Sequence, residues 1–172
     1  MWLRGLNAPG RREAAYVSFV DIAPTVLELA GTDPATAGMG RLPGGSLVPL
    51  LRNEPDPCAE LRGRALLGRE RHDNGRPGDQ GYPIRGIVRN GWLYLCNLKP
   101  WLLPGGNPET GYRDIDSSPT KTAILQLSRS GQDSRYYDLS MGPRPAEELY
   151  HVETDRECLV NRIGEGLSLI HI

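Results

Sequence analysis

The dipeptide Asn90-Gly91 constrains this chain more than any other feature. It stands between two short apolar runs, residues 84–88 and 92–95. Both residues accept positive φ readily, so the pair predicts a tight turn joining two antiparallel strands. Upstream, Ala65-Leu66-Leu67-Gly68 predicts a third strand, which delivers Arg69, Glu70, Arg71 and His72 at its carboxyl end. Residues 64–97 thus read as three strands around a polar loop, with the densest group of charged and catalysis-capable side chains at one strand end. Such a layout suits a site on a rigid scaffold, and it also suits a solvated edge whose Glu–Arg pairs contribute little.

The rest of the chain is punctuated by turns. Residues 17–20 predict a short strand running into Asp21, a good N-cap. A helix over 22–30 follows, with Pro24 in its first turn and Gly31 closing it. Ile22, Val26 and Leu29 form one stripe, widened by Leu27 and Ala30, so this helix is expected to be mostly buried. Residues 31–63 are rich in Gly and Pro and read as a connection laid over the surface, with one apolar segment at 46–51. After a second loop over 99–118, Ser118 caps a helix that Pro119 starts and that runs over 120–128. Residues 131–145 read as loop, 147–152 as a strand, and 155–160 as the beginning of a last helix.

Composition excludes several classes. With 21 Gly and 15 Pro in 172 residues and 38% apolar content, the chain is loop-rich rather than a helical bundle. A formal net charge of −1 argues against a nucleic-acid binder working through bulk positive potential. All basic residues except Lys99 and Lys121 are Arg, whose planar fork suits carboxylate, sulfate or phosphate; a GC-rich genome produces the same bias. No run of about eighteen apolar residues is present, so no membrane-spanning helix is expected. Residues 1–13 lack the apolar core of a signal peptide. Cys58, Cys96 and Cys158 have no metal-ligand spacing. Cys96 alternates with Trp92 and Tyr94, which reads as a buried free thiol, and the cysteines do not indicate a compartment.

Several segments, taken in order, resemble the sulfatase family. VSFVDIAPTVLELAG at 17–31 resembles its D-x-x-P-T helix. Gly45-Ser46-Leu47 followed by Pro49-Leu50-Leu51 resembles the G-x-S-L-x-P-L-L segment that comes next. GRERH at 68–72, YPIR at 82–85 and WLYLCN at 92–97 look like the sulfamidase, or heparan N-sulfatase, branch. Glu148-Leu149-Tyr150 with Asp155, Glu157 and Asn161 resembles the family's closing E-L-Y-D-x-x-x-D-P-x-E-x-x-N-L motif, with His151 in place of its Asp. The resemblance implies an alkaline-phosphatase-like α/β fold. Its amino-terminal domain holds a formylglycine nucleophile and a calcium ion; its carboxyl-terminal domain is a small antiparallel sheet of about four strands with packed helices and long loops. It also implies a sulfated carbohydrate substrate and a periplasmic, extracellular or lysosomal setting; charge and the lack of a long apolar run lead to the expectation of neither nucleic acid nor membrane as partner.

In that family the D-x-x-P-T helix follows the nucleophile and the metal carboxylates. Because it begins here at Asp21, the chain is expected to be a carboxyl-terminal portion, α+β by itself, inactive alone and lacking its amino-terminal catalytic domain. Residues 1–52 would be the end of that domain, 53–161 the carboxyl-terminal subdomain, and 162–172 a tail outside the family pattern. Ser117-Ser118-Pro119-Thr120-Lys121 nearly fits the nucleophile motif but has Lys for Arg, and Asp73-Asn74-Gly75 lies on the wrong side of Asp21 to be the metal pair; neither is adopted. No residue here is assigned to catalysis or to metal. The resemblance implies that Arg69, Glu70, Arg71 and His72 form a substrate-facing rim. Arg and His would meet sulfate or uronate oxygens, and Glu would read hydroxyls or an amine. Strand alternation places Arg69 and Arg71 on one face and Glu70 and His72 on the other, unless the strand ends at Arg69. Trp92, Tyr94 and Trp101 could stack on a sugar, although aromatics beside a hairpin turn more often pack across strands. A stand-alone Arg-rich module binding sulfated or other anionic glycans is the alternative reading.

Overall fold

The computed structural model describes residues 10–71, 76, 78, 80–106 and 115–165. The chain divides into two compact units, Met1–Ala65 and Leu66–Ile172.

In the first unit a 3₁₀ turn, Phe19–Asp21, runs directly into helix α1, Ile22–Leu29. The strand expected at 17–20 does not form. A strand needs a ladder beside it, and here the Asp21 carboxylate reaches back to the Ser18 N–H at 2.8 Å and curls the chain instead. Helix α1 ends as its sequence dictates: the Ala30 N–H donates to Val26 O, and Gly31 takes φ +66°.

Two expectations about α1 are overturned. Asp21 makes no side-chain cap to it; its Oδ1 accepts from Gly45 N at 2.9 Å and its Oδ2 from the Arg62 guanidinium at 2.9 Å. The apolar stripe also points outward. Ile22, Val26 and Leu29 are exposed, joined by Val17, Val20 and Phe19, the last 89% exposed. Thr25 is the one buried residue of α1. Its hydroxyl donates to Asp21 O at 2.5 Å and accepts from Leu47 N at 2.9 Å, which ties the helix to the Gly45–Leu47 backbone.

Among the described residues, the segment expected to be a surface connection supplies the buried apolar side chains of this unit, Leu47 and Val48. Helix α2, Val48–Arg52, carries Pro49 in its first turn, and Asn53 ends it in the left-handed conformation at φ 60°. Helices α1 and α2 pack together. Gly44 permits the close approach, since a Cβ there would fall on the Val20 carbonyl and lie 2.8 Å from Asp21 N. A 3₁₀ turn at Ala59–Gly63 then presents Arg62, almost fully buried, to two carboxylates. Its Nη1 meets Asp21 Oδ2 and its Nε meets Asp56 Oδ2, both at 2.9 Å, while Nη2 donates to the carbonyls of Gly45 and Ser46.

The second unit is built on a four-stranded sheet in the order β1-β2-β3-β4: Ala65–Arg69, Ile84–Arg89, Trp92–Asn97 and Glu147–His151. The hairpin forms where the turn chemistry requires it. Asn90 and Gly91 take φ of 49° and 76°, and β2 and β3 pair antiparallel from Arg89↔Trp92 to Ile84↔Asn97. Strand β4 pairs antiparallel with β3, placing Trp92 opposite His151 and Leu95 opposite Glu148. The protein is therefore mixed α and β, with a four-stranded sheet and a few helices.

Alternation divides the side chains between two faces. Trp92, Tyr94 and Cys96 share a face with Glu147, Leu149 and His151. There the Trp92 and His151 rings meet edge-on at 4.7 Å, and Tyr94 Oη donates to Glu147 Oε1 at 2.5 Å. These two aromatics thus do the cross-strand packing that their position near the turn suggested. Cys96, expected to be buried, is half-buried and free. The Glu147 hydrogen bond, together with desolvation, pushes the Tyr94 phenol up from 10.0 to about 12. The folded state then keeps a proton that the unfolded chain has released. Stability gained from this bond is present below pH 10.0 and is lost as pH rises toward about 12. Chemical denaturation across that window should show a slope that flattens in Tyr94→Phe; an unchanged slope would remove Tyr94 as the cause.

Helix α3, Pro119–Arg129, starts as expected, with Ser118 Oγ accepting from Lys121 N at 3.1 Å. Residues 131–145 are not all loop. Asp133 Oδ1 takes the Arg135 N–H, and a short helix α4, Arg135–Ser140, packs on α3. The helix expected from 155 is replaced by turns, because the Asp155 carboxylate holds the Leu159 and Val160 N–H groups and Cys158 sits at φ 52°. Those bonds hold the Asp155 carboxyl below its usual value. Asn161 works as a strand substitute on the outer edge of β4. Its Oδ1 accepts from Leu149 N and its Nδ2 donates to Glu147 O, while Arg162 N donates to Leu149 O. The expected non-family tail therefore begins with a residue that is part of the fold; residues 166–172 lie outside the described residues.

Candidate functional site

Strand β1 ends at Arg69, so the four charged residues singled out from the sequence do not continue one regular strand. A Cβ at Gly86 would lie 3.5 Å from Leu67 Cβ, and one at Gly68 would lie 3.9 Å from Arg85 Cδ. Leu67 and Arg69 therefore share the Gly86 face, and Gly68 lies toward Arg85. Glu70 continues to the Arg85 side, where its carboxylate pairs with Arg85 Nη2 at 2.8 Å. Both members are well exposed, so the pair adds little stability. Arg85 Nη1 also donates to its neighbour's carbonyl, Ile84 O, at 2.9 Å. Arg69 Nη2 reaches a different group, Pro104 O, at 3.4 Å. Arg69 and Glu70 thus have separate partners. Arg71 is exposed, and His72 lies outside the described residues, as do Asp73, Asn74 and Gly75.

Sequence reasoning passed over a buried arginine that holds the loop Arg69 reaches. Arg76 is buried, and its Nη2 donates to Leu103 O at 2.6 Å and Pro104 O at 2.9 Å. Its guanidinium lies 5.6 Å from the Tyr82 ring centroid, within cation–π range. Tyr82 is 1% exposed, and its hydroxyl meets no hydrogen-bond partner among the described residues. Burial and then the Glu148 charge push its phenol up, against the opposing charges of Arg144, Arg76 and Arg69. An Arg inside the polar stretch before Pro77 gives no periodic signal by which its burial could have been read.

On the Glu148 face a buried network supports the strands. Glu148 Oε1 accepts from Asn97 Nδ2 at 2.6 Å and Oε2 from Tyr150 Oη at 2.5 Å, and Asn97 Nδ2 also donates to Pro145 O at 2.7 Å. Both partners of the carboxylate are donors, one an amide N–H and the other a phenol O–H. Burial and this hydrogen bond push the Tyr150 phenol up strongly. Alternation in β4 was the available sign, because it sets Glu148 beside Tyr150 and opposite Leu149.

Calcium was expected only in the parent of this chain, and the converging carboxylates among the described residues are already engaged. Asp21 and Asp56 are the carboxylates that converge, and the Arg62 guanidinium stands between them. Their other bonds go to the N–H groups of Ser18, Gly45 and Cys58. Among the described residues no group of three or more His, Cys, Asp or Glu is placed to hold a metal ion, and no helix is long and apolar enough to cross a membrane. No family model and no curated protein sequence matches this chain.

Proposed function

We propose that this chain is the carboxyl-terminal part of a sulfamidase-like sulfatase, whose parent hydrolyses sulfate esters or N-sulfates on sugars. One observation carries this reading: segments that resemble the family in sequence lock to one another. Asp21 and Thr25 of the D-x-x-P-T segment bind the N–H groups of Gly45 and Leu47 in the G-x-S-L segment. The closing motif behaves alike, with Asn161 clamped on Glu147 and Leu149. Motif residues engaged with each other in this way support the resemblance, because each holds a neighbouring segment in place. In this reading the strand end at Arg69, Glu70, Arg71 and His72 is a substrate rim, while formylglycine and calcium belong to the parent's preceding domain. The preceding domain, in this reading, covers the outward apolar stripe of α1.

The purified chain should not turn over an aryl sulfate. Turnover that disappears in His72→Ala would overturn the proposal by placing a complete active site here. The exposed Arg69 also favours a second reading, a stand-alone module for sulfated or anionic glycans. Heparin retention is expected of the rim in either reading; cooperative unfolding of the isolated chain as a soluble monomer would select the second over the first.

A further inference from the structure

We infer that Trp101 is a stacking platform for the pyranose ring of an anionic sugar, acting together with Arg69; this deepens, and rests on, the sugar-rim reading above. Trp101 is 75% exposed, whereas Trp92 is half-buried against His151. Tryptophan is seldom left so open, since its ring gains most from burial. The ring is nevertheless carried on a fixed loop. Leu102 N donates to Lys99 O at 3.0 Å to close a turn around Pro100 and Trp101, and Gly106 N closes a second turn on Leu103 O at 3.3 Å. Arg76 anchors the loop between these turns at the Leu103 and Pro104 carbonyls, and Arg69 Nη2 reaches the same Pro104 carbonyl.

The juxtaposition is specific in its chemistry. A loop held at both turns presents an indole, and the guanidinium touching that loop is the exposed Arg69 at the end of β1. An indole face accepts the C–H face of a sugar ring. A guanidinium from β1 that meets the loop at Pro104, three residues after Trp101, binds sulfate or carboxylate by donating paired N–H groups. Little ordering entropy remains to be lost on binding, because the loop is already tethered. A neutral sugar would use only the ring, and an inorganic anion only Arg69. The ligand class that uses both is a sulfated or uronic-acid hexose.

The test is titration of the full chain with a heparin tetrasaccharide, followed by calorimetry and compared for Trp101→Ala, Trp101→Tyr and Arg69→Ala. Loss of stacking should weaken Trp101→Ala about 5-fold, with Trp101→Tyr keeping most of the affinity. The Arg69→Ala deficit should shrink as salt is raised, whereas the Trp101→Ala deficit should persist. Because Trp101 is exposed, its variants should melt with the wild type, which separates binding from folding. If Trp101→Ala binds as the wild type while Arg69→Ala is weakened, the stacking inference falls and the rim reading stands. If the wild type does not bind, or neither substitution changes binding, both fall.

Discussion

Arg62→Met is expected to destabilise the first unit by about 3–5 kcal/mol, because it leaves two carboxylates without the cation that justifies their burial. Arg62 meets Asp21 and Asp56 at 2.9 Å each and also donates to the carbonyls of Gly45 and Ser46. Met fills much of the same volume, so the loss measures charge and hydrogen bonding more than packing. The amount is a large share of an ordinary domain's stability, so a substantial unfolded population should appear without denaturant. Urea unfolding followed by circular dichroism measures it directly. Arg62→Lys should recover only part, because one ammonium cannot span both carboxylates and two carbonyls. Adding Asp56→Asn to Arg62→Met should restore some stability by removing one orphaned charge. A single Arg62→Met variant within about 1 kcal/mol of wild type would show that the network is not what holds α1 to the Gly45–Leu47 segment.

The second large effect is expected in the other unit. Glu148→Ala removes the acceptor shared by Asn97 and Tyr150, leaves the Tyr150 hydroxyl buried without that partner, and opens a small void. Lost bonds and void together should cost about 2–4 kcal/mol. Glu148→Gln should cost nearer 1 kcal/mol, since the Tyr150 hydroxyl can rotate to accept from the new amide while Asn97 still meets an oxygen. The Glu148 charge raises both the Tyr82 and Tyr150 phenols. Alkaline titration by ultraviolet absorbance should therefore show two tyrosines ionising earlier in Glu148→Gln. If Ala and Gln at this position were equally mild, and the titration unmoved, Glu148 would be a bystander.

What could be read before the fold was known follows the range of the forces involved. Asn90-Gly91 announced its hairpin because positive φ is a property of those two residues, and no distant contact was needed. Ser118 and Pro119 likewise announced α3, and Gly31 the end of α1, since a cap is settled within one turn of backbone. Strand β1 was legible in its apolar run, with the charged cluster at its end, although whether Arg69 and Glu70 cooperate was not. The separation of those two side chains came from the strand ending at Arg69 and from two partners 35 and 15 residues away.

The misses share a cause. An apolar stripe on α1 shows only that a helix has a face to cover; whether anything covers it is decided by the rest of the assembly, and in this chain the stripe faces outward. The strand expected at 17–20 lacked a neighbour to pair with. Asp21 had the chemistry of a cap, but Arg62, 41 residues later, and Gly45 claimed its oxygens. Arg76, Tyr82 and Glu148 gave little sign of burial, because burial of a polar group depends on acceptors and donors contributed from far along the chain. The tightest turn, the helix caps and the charged strand end were therefore written locally in the order of residues, where backbone preference acts over a few bonds. Which carboxylates are buried, which arginines hold the loop beneath Trp101, and which way α1 turns its apolar side were settled only by tertiary structure, because desolvation and charge pairing act between residues that the fold alone brings together.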